Sequence, residues 1–154
     1  MKHKKLTTFS ESETEKLGKN LAREILKSSL KKEAVIIGLK GELGGGKTTF
    51  LKGFARSLGI KEKITSPTFV IMKRFSIPSS KFQNFYHFDC YRVRKAEEIL
   101  NLEFKEIISN PKNIVCLEWA GKVKTILPKE IIWIDFNFKD KNKREIIIEK
   151  PQTQ

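Results

Sequence analysis

The stretch from Ala34 to Thr48 constrains this chain more than any other. Ala34-Val35-Ile36-Ile37-Gly38-Leu39 is an unbroken apolar run, the pattern of a strand buried on both faces and so of a parallel sheet covered by helices. It leads into Gly41-Glu42-Leu43-Gly44-Gly45-Gly46-Lys47-Thr48, which matches the phosphate-binding pattern G-x-x-x-x-G-K-[ST]. Beyond it Phe50, Leu51, Phe54 and Leu58 share one helical face, and Gly59 stands where a C-terminal cap belongs. In such a loop glycines turn the backbone so that successive N–H groups face phosphate oxygens. Lys47 supplies a charge to the β- and γ-phosphates and Thr48 a hydroxyl for Mg²⁺, with the N-terminus of the next helix facing the same anion. A glycine-rich turn that binds nothing is the competing reading. The flanking strand and helix weigh against it.

With 154 residues, the chain has material for one domain with one core, spanning 1–154. A hydrophobic content of 39% with 32% charged residues is globular composition. Ser10 or Ser12 can cap a first helix, and Leu17, Leu21, Ile25, Leu26 and Leu30 make one face of an amphipathic helix over 13–30. Strand-like runs follow at 68–75 and 82–89, then a charged helical stretch near 95–109 and an apolar run at 114–117. Residues 131–138 and 144–149 read as a closing hairpin around the polar 139–143. The predicted fold is an α/β, three-layer domain with a mixed, largely parallel sheet and a C-terminal β-hairpin. Residues 1–9 and 150–154 are expected to be flexible ends. Cys90 and Cys116 lack Cys-x-x-Cys spacing, and His3 and His87 do not complete a zinc site. The basic start Met1-Lys2-His3-Lys4-Lys5 leads into no apolar core, and no apolar run approaches the roughly 20 residues of a membrane span. A reduced, cytoplasmic protein without membrane contact is expected.

A hydrolytic phosphate-loop site needs further acids, to hold Mg²⁺ and to position water. Asp89 ends the run Phe85-Tyr86-His87-Phe88, and Glu118 ends Ile114-Val115-Cys116-Leu117. Both stand where open α/β sheets keep their sites, although an acid capping the next turn explains each as well. Asp135 continues into further strand, which reads as a solvated edge or outward face. The sequence weighs against a guanine-specific switch protein, because no Asp-x-x-Gly occurs and Asn142-Lys143-Arg144-Glu145 departs from Asn-Lys-x-Asp. His87 shares a strand face with Asp89, and a bond to a neighbouring acid or backbone group is favoured over general-base work. Tyr91 and Arg92 can line the site, though a surface ion pair explains Arg92 equally. The net charge of +13 suits polyanions. The basic residues are scattered, so a solvated surface competes with direct nucleic-acid contact.

Four segments together resemble one family. They are Gly41 to Phe50, Ser66-Pro67-Thr68-Phe69, His87-Phe88-Asp89-Cys90-Tyr91-Arg92 and Leu117-Glu118-Trp119. In order and spacing they resemble the bacterial TsaE proteins, the ATPase subunit of tRNA threonylcarbamoyladenosine biosynthesis, over about residues 10–138. The resemblance implies an ATPase that binds ATP and Mg²⁺ and sustains turnover of two partners, the threonylcarbamoyl transferase and its non-catalytic paralogue (TsaD and TsaB type proteins). Their product is an adenosine modification in tRNAs reading codons that begin with A. It implies nucleotide contacts from Gly44, Gly45, Gly46, Lys47, Thr48 and Thr49, and Mg²⁺ ligation by Thr48 and Glu118. Asp89 would be the second acid needed for hydrolysis. Thr68 would lie in a switch-like loop, Trp119 would shape the site, and the helix start from Glu11 to Thr14 would lie near the adenine. Two departures are visible: Gly45 stands where the family often has Ala, and Asn101-Leu102-Glu103-Phe104 where it often has a Gly. The alternatives are a small phosphotransferase and a docking module that holds ATP without hydrolysing it. The strand-end acids favour hydrolysis.

Overall fold

The computed structural model describes residues 2–41, 46–65, 71–79 and 81–151. In chain order the elements are β1 (Lys2–Thr8), α1 (Glu11–Lys27), β2 (Val35–Gly41), α2 (Lys47–Ser57), β3 (Met72–Ser76) and β4 (Asn84–Asp89). They are followed by α3 (Glu97–Leu100), α4 (Phe104–Ser109), β5 (Asn113–Glu118), a 3-10 helix (Ala120–Ile126), β6 (Ile132–Phe138) and β7 (Arg144–Lys150). Among the described residues the strands form one sheet in the order β1-β7-β6-β2-β5-β4-β3. Its centre, β6-β2-β5-β4, is parallel, and the pairs β1-β7, β7-β6 and β3-β4 are antiparallel. The expected mixed α/β sheet and closing hairpin are present, with parallel pairing confined to the centre.

Helices cover both faces. Ile37, Leu39, Phe85, Ile114, Ile134 and Phe136 pack beneath α1 and α2, against Leu21, Phe50 and Phe54. Ile36, Phe88, Val115 and Leu117 pack on the other face, against α3, α4 and the 3-10 helix through Ile99, Phe104 and Val123. The first two helices touch backbone to backbone. A Cβ on Gly18 would lie 2.1 Å from the Phe50 carbonyl oxygen, and one on Gly53 2.0 Å from that of Glu15. Only residues without a side chain allow that approach.

Several local expectations are corrected. Residues 2–8, expected to be a flexible end, form β1 and pair with β7 from Lys2↔Lys150 to Thr8↔Arg144. Lys150 closes β7 and is likewise ordered. Helix α1 starts at Glu11, where the Ser10 hydroxyl accepts the Glu13 N–H at 3.1 Å. It stops at Lys27, short of Leu30, because Ser28 turns extended and its hydroxyl bonds the Ile25 carbonyl at 2.7 Å. The helical stretch near 95–109 is two short helices, separated by Glu103 in the left-handed region (φ 61). A glycine-type turn is kept there with a glutamate in it. Finally, Asp135 is half-buried on a strand flanked by β2 and β7, opposite Lys40, and so does not lie at an edge.

Candidate functional site

The sheet topology brings three strand ends together. Asp89 on β4 stands opposite Glu118 on β5, and Glu118 stands opposite Leu39 on β2, two residues before Gly41. Gly41 takes φ +127, and a Cβ there would lie 2.2 Å from the Phe136 carbonyl oxygen. Both demands leave glycine as the residue that fits where the chain leaves β2. Helix α2 begins at Lys47. Its N-terminus, the positive end of the helix dipole, thus lies at the end of the sheet that carries the two acids.

Lys47 is buried. Its ammonium donates to the Gly41 carbonyl at 2.5 Å and lies 3.9 Å from the centre of the Trp119 ring. Burial lowers its pKa, opposed by the charges of Glu118, Asp89 and Asp135. The indole face and the carbonyl hold the ammonium where β2 ends, in the field of the three carboxylates. Thr48 is exposed and Thr49 half-buried in the same first turn. Gly44, Gly45 and Thr68 lie outside the described residues.

The acids differ in their surroundings. Glu118 is 3% exposed and its Oε2 lies 2.7 Å from Nε2 of His87, a residue 1% exposed. This is the bond to a neighbouring acid anticipated for His87. Asp89 accepts the Tyr91 N–H on Oδ1 at 3.0 Å. Burial is the largest cause raising its pKa, with the Glu118 charge adding, while the Tyr91 bond, His87 and Lys47 oppose it. Such an acid takes a proton more readily than a free aspartate. Trp119 adopts φ 58, the left-handed region that bulky residues avoid. Its ring meets Tyr91 at 5.1 Å between centroids, and Lys122 bonds the Tyr91 carbonyl while lying 5.3 Å from the Tyr91 ring. Tyr91 therefore joins the site, while Arg92 is exposed.

The loop has two neighbours, Thr14, within the helix start that the resemblance placed near the adenine, and Arg144, which the sequence did not mark. A Cβ on Gly46 would lie 3.3 Å from Thr14 Cγ2 and 4.0 Å from Arg144 Cγ. The first turn of α1, which begins at Glu11, and the β6–β7 hairpin thus flank the end of the loop. Thr14 is fixed by bonds to the Thr8 hydroxyl at 2.7 Å and the Ser10 carbonyl at 3.3 Å. The Arg144 guanidinium lies 4.6 Å over the exposed Phe138 ring. No spacing signal marks these contacts, because they join elements far apart in the chain.

A magnesium ion fits this donor set. Glu118, Asp89 and Thr48 offer hard oxygen donors, the chemistry Mg²⁺ takes from one or two carboxylates, a hydroxyl, phosphates and water. Among the described residues no group of three or more His, Cys, Asp or Glu can hold a metal ion. A cation here would draw part of its shell from a phosphate ligand. Among the same residues no helix is long and apolar enough to cross a membrane.

Comparison with known proteins identifies the family of the chain. A family model described as "Threonylcarbamoyl adenosine biosynthesis protein TsaE" matches residues 8–146. A protein of Rickettsia typhi named tRNA threonylcarbamoyladenosine biosynthesis protein TsaE is 33% identical over 145 residues, covering 94% of this chain and 93% of that one. The Bacillus subtilis protein of the same name is 34% identical over 146 residues, covering 95% and 85%. The crystal structure of Bacillus subtilis YdiB superposes with a TM-score of 0.70 at 30% identity, over 97% of this chain and 86% of that one.

Proposed function

The chain belongs to the TsaE family, and on that premise we propose that it is a Mg²⁺-dependent ATPase acting in tRNA threonylcarbamoyladenosine biosynthesis. In this reading it works in the cytoplasm with a TsaD-type transferase and its TsaB-type paralogue, on tRNAs that read codons beginning with A. It hydrolyses ATP to sustain their turnover and does not itself transfer the threonylcarbamoyl group. The observation that carries the reading is the meeting of Lys47, Asp89 and Glu118 beside the N-terminus of α2.

Each group has a task that its surroundings suit. Loop N–H groups and the helix terminus bind the phosphates, and Lys47 leaves the Gly41 carbonyl and the Trp119 face to neutralise the β- and γ-oxygens. Glu118 and the Thr48 hydroxyl would hold Mg²⁺, which would supply positive charge to stabilise the negative charge on the phosphate oxygens. Asp89, with its raised pKa, orients the attacking water and accepts its proton. The water oxygen bonds the γ-phosphorus as the bond to the bridging oxygen breaks, leaving ADP and phosphate. The first turn of α1, with Glu11 at its start and Thr14 against Gly46, and Arg144 from the hairpin border the space for the nucleoside.

The test is steady-state ATP hydrolysis by the chain alone and with the two partners, with Lys47→Ala as the blank. Slow hydrolysis alone, rising sharply with partners, supports the reading. A rate that the partners leave unchanged removes the turnover role. No hydrolysis under any condition would leave a nucleotide-holding module.

A further inference from the structure

Glu118 is a buried carboxylate at the end of a fully buried strand, and such a group needs a bonded partner. The partner comes from the neighbouring strand. In the parallel β4–β5 register Asp89 stands opposite Glu118 and His87 opposite Cys116, so His87 lies one pleat below the carboxylate it bonds. The imidazole has little freedom. Its ring stacks on Phe85 with centroids 6.5 Å apart and planes 4° apart. Phe85 in turn packs on Phe54 from α2 and Phe75 from β3. A ring fixed in this way fixes what it bonds.

We infer that His87 is a positioning residue for Glu118, orienting the carboxylate through the Nε2–Oε2 bond so that its other oxygen can reach the magnesium ion of a bound nucleotide. The inference rests on the reading of Glu118 as a magnesium ligand. A glutamate has three side-chain torsions and, held only by its own backbone, can turn away from an ion at the strand end. The bond to His87 occupies Oε2 and leaves Oε1 for the cation. Carboxylates that ligate metals are in turn held by such bonds, and losing one weakens metal affinity by about 10–100-fold. A role limited to satisfying a buried acid would affect folding stability and leave magnesium coupling unchanged.

The experiment measures binding of a fluorescent ADP analogue to the full chain with Mg²⁺ and with EDTA, alongside thermal unfolding. The quantity read is the factor by which Mg²⁺ tightens binding. His87→Phe keeps an aromatic ring and removes the bond, and should lower that factor about tenfold or more with affinity in EDTA unchanged. His87→Gln carries an N–H donor near the Nε2 position and should retain most of the coupling. His87→Asn, one methylene short of Glu118, should lose it, so the Gln and Asn pair decides the matter if His87→Phe does not fold. Full coupling in His87→Phe, or equal coupling in His87→Gln and His87→Asn, overturns the inference. Glu118→Gln separates the two levels. If it abolishes coupling while His87→Phe keeps it, the positioning role alone falls. If Glu118→Gln keeps full coupling, the magnesium-ligand reading falls and the inference with it.

Discussion

Replacing Gly53 by alanine should destabilise the fold, although alanine is the better helix former by about 1 kcal/mol. A Cβ at residue 53 would lie 2.0 Å from the Glu15 carbonyl oxygen and 2.8 Å from its carbonyl carbon. These are backbone atoms, so no change of rotamer relieves the clash. Helix α1 must back away from α2 by about 1.4 Å before the contact reaches even the short end of the van der Waals range. That movement loosens Leu21, Ala22 and Ile25 against Phe50 and Phe54, in the part of the core with the largest fully buried rings. Overpacking of this kind costs about 3 kcal/mol at the upper end of its usual range. Less the gain in helix propensity, the net loss is about 2 kcal/mol. In a domain of this size each kcal/mol moves the midpoint by about 2–4 °C, so the expected fall is about 4–8 °C. Gly121→Ala is the control, since a Cβ there meets nothing within 4 Å, and it should stay within about 0.5 kcal/mol of the parent. Thermal unfolding followed by far-ultraviolet circular dichroism measures both. A Gly53→Ala midpoint at or above that of the parent, or equal to that of Gly121→Ala, would refute the close crossing of the helices.

Glu103 holds a left-handed conformation that costs a non-glycine residue roughly 1–2 kcal/mol. Glycine returns about 0.5–1 kcal/mol of this through its freer unfolded state, so Glu103→Gly should stabilise by about 0.5–1 kcal/mol in urea unfolding. For Asp89, burial raises the native pKa. Its contribution to stability is therefore full below the unfolded value, near pH 4, and is lost as pH rises through the native value. Asp89→Asn keeps the acceptor for the Tyr91 N–H, so it should be more stable than the parent at neutral pH. The advantage should vanish in acid, and a constant difference across pH would count against the argument. Burial pushes the Cys90 thiol up to about 12 and raises that of Cys116 well above its ordinary value. Both should resist a disulfide reagent at neutral pH until denaturant is added, whereas rapid reaction of the native chain would show that the sheet faces open.

The site was more legible in the sequence than the outer parts of the sheet. The strand and helix around the loop stand out because one is buried on both faces and the other on one face. Asp89 and Glu118 could be found because each ends an apolar run. Strand β1 could not. Lys2-His3-Lys4-Lys5 carries no alternating apolar signal, since an edge strand with lysines on it is exposed and repels another edge. Its pairing with β7 at the far end of the chain leaves no local trace. The division between α3 and α4 depends on Glu103 taking a conformation that glutamate rarely adopts. The His87–Glu118 bond was anticipated only in kind, because its partner depends on the β4–β5 register. Contacts of Thr14 and Arg144 around Gly46 depend on the packing of α1 and of the hairpin against the loop. These are tertiary facts that spacing does not encode.

The central claim, that this chain hydrolyses ATP to sustain tRNA threonylcarbamoylation, is tested most directly by counting modified tRNAs per transferase in a reconstituted reaction. The chain is supplied as the parent or as Asp89→Ala, with ATP and Mg²⁺ in excess. The account predicts repeated turnover with the parent and arrest after about one round with Asp89→Ala, which should still bind nucleotide. Equal turnover with both proteins would contradict it.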